Sequence, residues 1–433
     1  MTDWIKRDEL AIWHPFTPLR GMEKPLMVER AEGVNLYTDD GKTIIDAISS
    51  WWVNIHGHSH PHLAQAIATQ ASRLEHVIFA GFTHEPAIRL AERLLQILPE
   101  NQAKIFYSDN GSTAVEVAMK MAFQFFHNQG VEKRKIIAID GAYHGDTFGA
   151  MSVGERGPFT SPFDPYLFEV DFVDFPNGEN DEQVWQHFQE IIATNDVAAF
   201  IYEPIAQGAS GMRVYDKKLL DRMISLAQAE GVICIADEVM TGFGRTGELF
   251  AADALETNPD IMCLSKGLTG GALAMGVTTC TQKIQDAYQS SDLMKTFFHG
   301  HSFTANPITC AVANASLDLL LTDECTANRA RLNDRHTTFG KKIAEHPLVR
   351  NTRVLGTIIA FELNTDRDTS YFNEARHHLY PYFIEKGILI RPLGNVIYLI
   401  PPYIISNNEL DFIYQTIFNF LEEYPTLIKN NAL

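Results

Sequence analysis

One lysine, Lys266, ends the apolar run "DIMCLSK" and is followed closely by Gly267, Gly270 and Gly271. Lysine is rarely buried without a partner. An amine at the end of a core strand, inside a glycine-rich loop, reads as a reactive group. Asp237-Glu238 ends a second apolar run, "VICIA". A carboxylate there is costly unless a cation or hydrogen bonds stabilise it. After "KIFYSD", the stretch "NGST" puts Gly111, Ser112 and Thr113 where a helix begins. Free N–H groups and the helix dipole favour an anion there, most simply a phosphate. An ordinary helix cap is the competing reading. After "RKIIAID", the stretch "GAYHGDTFGAMS" sets Tyr143 and His144 among glycines, so an aromatic ring can approach a ligand closely.

These parts point to one chemistry. A phosphate cradle, an aromatic plate, a buried carboxylate and a strand-end lysine are what pyridoxal 5'-phosphate requires. The Lys266 amine would form a Schiff base with the aldehyde, and the carboxylate would keep the pyridine nitrogen protonated. Desolvation would lower the pKa of Lys266, so that the amine can next carry a proton.

The groups must be held by strands. "KIFYSD", "RKIIAID", "VAAFIYEP", "VICIADEV", "DIMCLSK" and "LAMGVTTC" are apolar runs separated by helical stretches such as "STAVEVAMKMAFQFF" and "KKLLDRMISLAQ". Runs apolar on both faces, alternating with helices, predict a mostly parallel α/β sheet. Its ligands would bind beyond the carboxyl ends of the strands. "VNLYTDDGKTIID" predicts a hairpin at Asp40-Gly41, and "GILIRPLGNVIYLIPP" a hairpin around Leu393-Gly394. The expected organisation is a large domain over 60–318 and a smaller α+β domain built from 1–59 and 319–433.

The chain has 433 residues, 45% hydrophobic and 21% charged, with a net charge of −19. That charge disfavours nonspecific binding to nucleic acid or anionic membranes. No apolar run approaches the roughly 20 residues that span a bilayer. "MTDWIKRDEL" lacks the apolar core of a secretory leader. Cys234, Cys263, Cys280, Cys310 and Cys325 are scattered and read as buried free thiols of a cytoplasmic protein.

"IADEVMTGFGRTGELFA", "LSKGLTGG" and "FFHGHSFTANPITCA" resemble the signature of class III aminotransferases, which have the type I pyridoxal-phosphate fold. The resemblance covers nearly the whole chain and implies a seven-stranded, mostly parallel sheet. "IWHPFT", "SSWWVNIHGHSHP", "EPIAQGASGMR" and "RPLGNVIYLIPPY" are similar to those members that serve biotin biosynthesis. Those members pass an amino group from S-adenosylmethionine to 8-amino-7-oxononanoate. The resemblance implies that Lys266 binds the cofactor and that Asp237 meets its ring nitrogen. Gly111 and Ser112 would hold the phosphate, and Tyr143 and Val239 would flank the ring. His301 and Ser302 would reach the phosphate of the neighbouring subunit, across the interface of a homodimer with shared active sites, and Gly300 would be a substrate-binding residue. Trp51 and Phe16 would line the substrate channel. Arg391 would bind the oxononanoate carboxylate, with Tyr398 near the same substrate. Asp146, Arg245 and Glu203 would stand behind these groups, the first two as a pair.

Phe16 stands where adenosylmethionine-using members usually have tyrosine, and "HGHS" replaces "HGPT". Relatives with lysine as amino donor show both features, so lysine stays open as the donor. Other class III enzymes, for ω-amino acids, are a further alternative. A pyridoxal-phosphate sensor of transcription would need a basic DNA-binding segment, which this acidic chain lacks. His56, His58, His60 and His62 alternate, as strand ligands of zinc would, yet Pro61 should start a helix and break that geometry. Trp51 and Trp52, if on a strand, would face opposite ways. Arg245 could be a surface ion pair, Glu203 a strand-end cap, and Glu238 reads as structural.

Overall fold

The computed structural model describes residues 3–21, 24–365, 369 and 373–431. Its centre is a seven-stranded sheet. Across it the order is Gln102–Ser108, Gly276–Thr281, Ile261–Leu264, Ile233–Asp237, Val197–Tyr202, Lys135–Ile139 and Asp171–Val173. Gly276–Thr281 runs antiparallel to both of its neighbours, and the remaining pairs are parallel. The mostly parallel sheet of the resemblance is therefore present. The three-residue edge strand Asp171–Val173 is one that the apolar runs did not mark.

Why both faces are apolar follows from the pleat. Successive side chains of a strand point to opposite faces. Phe200, Cys234, Ala236 and Met262 join one apolar cluster, whereas Ala199, Ile233, Ile235 and Cys263 join the other. The helix Gly111–Asn128 covers the second face with Ala114, Val115, Ala118 and Ala122. The helix Lys217–Ala229 covers the first with Leu219, Leu220, Met223 and Ile224. All five cysteines are free and buried.

Around this layer the two chain ends are sewn together. Asn35–Thr38 and Thr43–Asp46 form the expected antiparallel hairpin. Ile388–Leu389 joins the same small sheet, parallel to Thr43–Asp46. Ile400 N–H donates to Ala47 O, and Tyr403 N–H donates to Ile55 O, each at 3.0 Å.

The expected hairpin of "GILIRPLGNVIYL" does not form. Leu393 and Val396 close a tight turn, but the runs on either side go to different sheets. Ile388–Leu389 pairs with Thr43–Asp46, while Val396–Leu399 pairs with Ile358–Leu363. Pro392 has no N–H to give a ladder. Buried Asn395 donates to Leu363 O at 2.9 Å and ties the turn to the second sheet. The crossing segment carries Arg391.

The loop after Lys266 packs directly on backbone. Gly271 has φ 83°, and a methyl group there would meet Val53 and Asn54 backbone atoms at 2.8–2.9 Å. Gly271→Ala should destabilise the fold by roughly 1–3 kcal/mol. The expected result is a lower urea midpoint at an unchanged slope. An unaltered midpoint would mean that the loop does not rest on residues 53–54.

Candidate active site

A cavity of about 650 Å³ opens beyond the strand ends. Gly111, Ser112, Tyr143, Asp237, Val239 and Lys266 all line it, with Trp52 and Glu203. This is where an open α/β sheet binds ligands.

Register brings the floor together. Asp237 pairs with Cys263 in the adjacent parallel strand. Lys266 follows three residues beyond that partner, at the start of a short 3-10 turn, Lys266–Thr269. Its φ is 46°, a left-handed conformation. The turn is clamped from two sides. Ser265 Oγ donates to Met275 O at 2.6 Å, and Ser316 Oγ donates to Gly267 O at 3.3 Å. Lys266 Nζ lies 4.6 Å from the centre of the Trp52 ring. Burial lowers the amine from 10.5 to about 8, against the opposing pull of Asp237 and Glu203.

Asp237 is buried and holds two hydrogen bonds. Oδ1 accepts from Val239 N–H at 3.0 Å, and Oδ2 lies 2.6 Å from His144 Nδ1. An ionised carboxylate only accepts, so Nδ1 carries the proton. His144 Nε2 is buried without a partner among the described residues. This contact joins residues far apart in the chain, and nothing in their spacing announces it.

Tyr143 is fixed at both ends. Its N–H donates to Glu203 Oε1 and its hydroxyl to Asp146 Oδ2, each at 3.0 Å. Burial and Asp146 push the phenol up, so it stays a donor. Glu203 also accepts from Gly208 N–H at 2.9 Å. It therefore staples two loops and does more than cap its own strand. Asp146 and Arg245 do not pair, contrary to expectation. Nor is Arg245 on the surface. It is fully buried and donates to the carbonyls of Pro401 at 3.0 Å and of Trp52 and Asn54 at 3.2 Å. Three carbonyls take the two terminal nitrogens of the guanidinium in place of a carboxylate, while its Nε is buried without a partner among the described residues.

Asn110 caps the helix Gly111–Asn128, in a capping box with Thr113. Ser112 Oγ instead meets Thr147 Oγ1 at 2.9 Å and faces the cavity wall. A Cβ on Gly111 would sit 2.7 Å from Val239, so only a bare backbone fits. The residues fit pyridoxal phosphate. A helix start offers N–H groups to its phosphate, a buried carboxylate suits its ring nitrogen, and a weakened amine suits its aldehyde.

The two tryptophans are not on a strand. Ser49–Trp52 is a left-handed turn with φ of 53°, 45°, 74° and 72°. Trp52 lines the cavity and is buried, whereas Trp51 is exposed. Neither Trp51 nor Phe16 is among the residues that line the cavity, contrary to expectation, nor is Arg391. The three cluster around Trp51, one residue along the chain from Trp52, with the Trp51 and Phe16 ring centres 5.6 Å apart and the Arg391 guanidinium 4.8 Å from the Trp51 ring. Tyr398 is fully buried and does not line the cavity. Its hydroxyl accepts from Trp52 Nε1 at 3.1 Å, so it holds the indole from behind. Gly300, His301 and Ser302 lie outside this chain's cavity. His301 stands between Asp109, at 3.4 Å, and His299, at 3.2 Å.

The four alternating histidines serve four different partners. His56 meets Ser316, His58 meets Asp46, His60 caps the helix Pro61–Ala71, and His62 meets Asp318. Glu238 is buried and pushed up to about 7 by burial, while its carboxylate accepts from Thr241 Oγ1 and Ala252 N–H.

The amine's titration is directly measurable. Only neutral Nζ attacks an acylating reagent. Acylation of Lys266 in the ligand-free protein should therefore rise through pH of about 8 and not the ordinary 10.5. Asp237→Asn removes a charge that favours the ammonium, so the midpoint should fall further. Peptide mass spectrometry against pH reads both. A wild-type midpoint near 10.5, or an upward move in the variant, contradicts this electrostatic account.

Comparison with known proteins gives the same direction. Residues 19–421 match the family described as aminotransferase class-III. Over 420 residues the chain is 48% identical to the adenosylmethionine-8-amino-7-oxononanoate aminotransferase of Synechococcus elongatus, covering 95% of this chain and 98% of that one. A protein of that name from Geobacter sulfurreducens is 39% identical, with 95% of each chain covered. The crystal structure of the enzyme so named from Methanocaldococcus jannaschii superimposes with a TM-score of 0.92 at 34% identity, covering 97% and 98% of the two chains. The omega transaminase from Pseudomonas jessenii, solved in complex with PMP, has a TM-score of 0.91 at 26% identity, covering 98% and 99%. Shared descent thus accounts for the lysine, the carboxylate and the bare helix start meeting at these strand ends, and the chain belongs to the pyridoxal-phosphate-dependent class III aminotransferases.

Proposed function

We propose that this chain transfers an amino group from S-adenosylmethionine to 8-amino-7-oxononanoate, giving 7,8-diaminononanoate, in the cytoplasm, as a step of biotin biosynthesis. The observation that carries the reading is the cluster of Phe16, Trp51 and Arg391 next to cavity-lining Trp52, which we take as the mouth of the site. Arg391 stands over Trp51 and forms no ion pair among the described residues. A long apolar chain ending in a carboxylate matches an aromatic wall with one guanidinium.

Bound cofactor supplies an aldehyde that carries the amino group and a ring that draws off electrons. Gly111 and Ser112 would hold its phosphate, Asp237 would meet its ring nitrogen, and Tyr143 and Val239 would flank its ring. His144 keeps Asp237 oriented. Lys266 Nζ, lowered to about 8, can shed and regain a proton near neutral pH and so acts as the proton carrier. Trp52 lies over that amine, its ring centre 4.6 Å from Nζ. Both substrates use this one cavity in turn.

Lysine as donor is the second reading. It is favoured by Phe16, which offers no hydroxyl at the mouth where the usual members have tyrosine. Gly300, His301 and Ser302 lie outside their own chain's cavity, so we assign them to the partner's site in a homodimer.

Arg391→Ala should raise the Michaelis constant for the keto acid about ten- to a hundredfold, from the loss of roughly 1.5–3 kcal/mol. Equal weakening of both half-reactions would indicate a structural role instead. Turnover with each donor, at saturating keto acid, decides the donor, and faster turnover with lysine than with S-adenosylmethionine overturns the donor assignment. Lys266→Ala and Ser302→Ala chains, mixed and refolded together, should regain part of the activity each lacks. An unchanged cofactor affinity in Ser302→Ala alone would remove the cross-subunit contact.

A further inference from the structure

Three exposed aromatic residues from separate segments meet at the mouth. The Phe16 ring lies 5.6 Å from Trp51 and 6.3 Å from Phe159, edge-on to both. Phe16, Trp51 and Phe159 keep 48%, 40% and 46% of their surfaces exposed. Clustered exposed aromatics mark binding surfaces more often than chance. Two of the three also sit in strained backbone, with φ 53° for Phe16 and 74° for Trp51. Bulky residues avoid that region unless their surroundings hold them there, and such strain gathers at ligand sites.

Phe159 is presented from a fixed frame. Gly157 N–H donates to Thr160 Oγ1 at 3.0 Å, and Thr160 and Ser161 N–H both donate to Gly157 O. This closes a turn around Pro158 and Phe159, with buried Thr160 as its foot. The base of the loop is tied to the Tyr143 segment, where Glu155 N–H donates to Ala142 O at 2.8 Å. The ring is thus held outward on a short, hydrogen-bonded turn that starts beside the cavity.

We propose that Phe159, with Phe16 and Trp51, forms a stacking slot for the adenosyl end of the amino donor, and that Phe159 determines donor specificity. This rests on the donor assignment made above. S-adenosylmethionine differs from the keto acid in the chemistry that aromatic rings recognise. Its adenine is a flat π face, and its sulfonium is a cation that an aromatic quadrupole attracts. The keto acid and lysine each have an ammonium but no aromatic face, so the adenine is what the slot would discriminate. The two substrates then divide the mouth. The carboxylate of one takes Arg391, and the base of the other takes the Phe159 side.

The test uses holoenzyme and separate half-reactions. Phe159→Leu keeps apolar bulk and removes the π face, and Phe159→Trp keeps both. Base stacking on an aromatic residue predicts that Phe159→Leu raises the donor's Michaelis constant about five- to a hundredfold. Phe159→Trp should stay within about twofold of wild type, as should the keto-acid half-reaction in every variant. Adenosine should inhibit the wild type competitively against the donor and should lose that effect in Phe159→Leu. Normal wild-type turnover with an unchanged donor constant in Phe159→Leu overturns the slot alone. Equal weakening of both half-reactions also overturns it, as a structural effect. Wild-type turnover supported by lysine and not by S-adenosylmethionine overturns the slot together with the donor assignment.

Discussion

The pairing of Asp237 with Cys263 across two parallel strands is the constraint on which the site depends. It sets the carboxylate beside the strand whose next turn begins with Lys266. Because the side-chain period of a strand is two, a slip of one residue would turn Asp237 to the opposite face. The pattern of the two apolar clusters forbids that slip. Ile233 and Ile235 belong to one cluster, Cys234 and Ala236 to the other, and reversing them would repack both faces at once.

Given that register, the electrostatics follow from burial. Desolvation disfavours the ammonium of Lys266, while Asp237 and Glu203 favour it. Burial prevails, yet the carboxylates keep the amine from falling so far that it could no longer be reprotonated. Arg245 acts in the same sense as burial, as a nearby cation whose hydrogen bonds go to carbonyls and whose guanidinium lies 5.1 Å from the Tyr403 ring. A carboxylate bonded directly to Arg245 would offset that influence more fully than Asp46 does, which acts on it without a hydrogen bond.

Much of this was legible in the chain because it is local. Continuous apolar runs marked the central strands, and the residues at their ends marked the floor: Gly111, Tyr143, Asp237 and Lys266. What escaped depends on contacts between distant segments or on rare backbone. His144 meets Asp237 through the fold alone. The Asp146–Arg245 pairing failed although the true partner of Asp146, Tyr143, lies only three residues away. Alternation rules placed Trp51 and Trp52 on opposite faces, but they presuppose an extended chain and cannot foresee four successive non-glycine residues with positive φ. The Leu393-Gly394 stretch carried a sound turn signal. A turn does not say, however, which sheet each arm will join, and Pro392 and Asn395 settled that.

The left-handed turn at Ser49–Trp52 has a consequence for how this protein can evolve. Each such residue costs on the order of 1–3 kcal/mol in strained backbone, and Arg245, with the Ser49 Oγ bond to Ile400 O, holds the turn closed. Relaxing this turn would be one route to a more heat-resistant chain. That same relaxation would lift Trp52 from above the amine and swing Trp51 from the mouth. Selection for robustness and selection for turnover therefore oppose each other at these four positions, and gains in thermal tolerance have to come from elsewhere in the molecule.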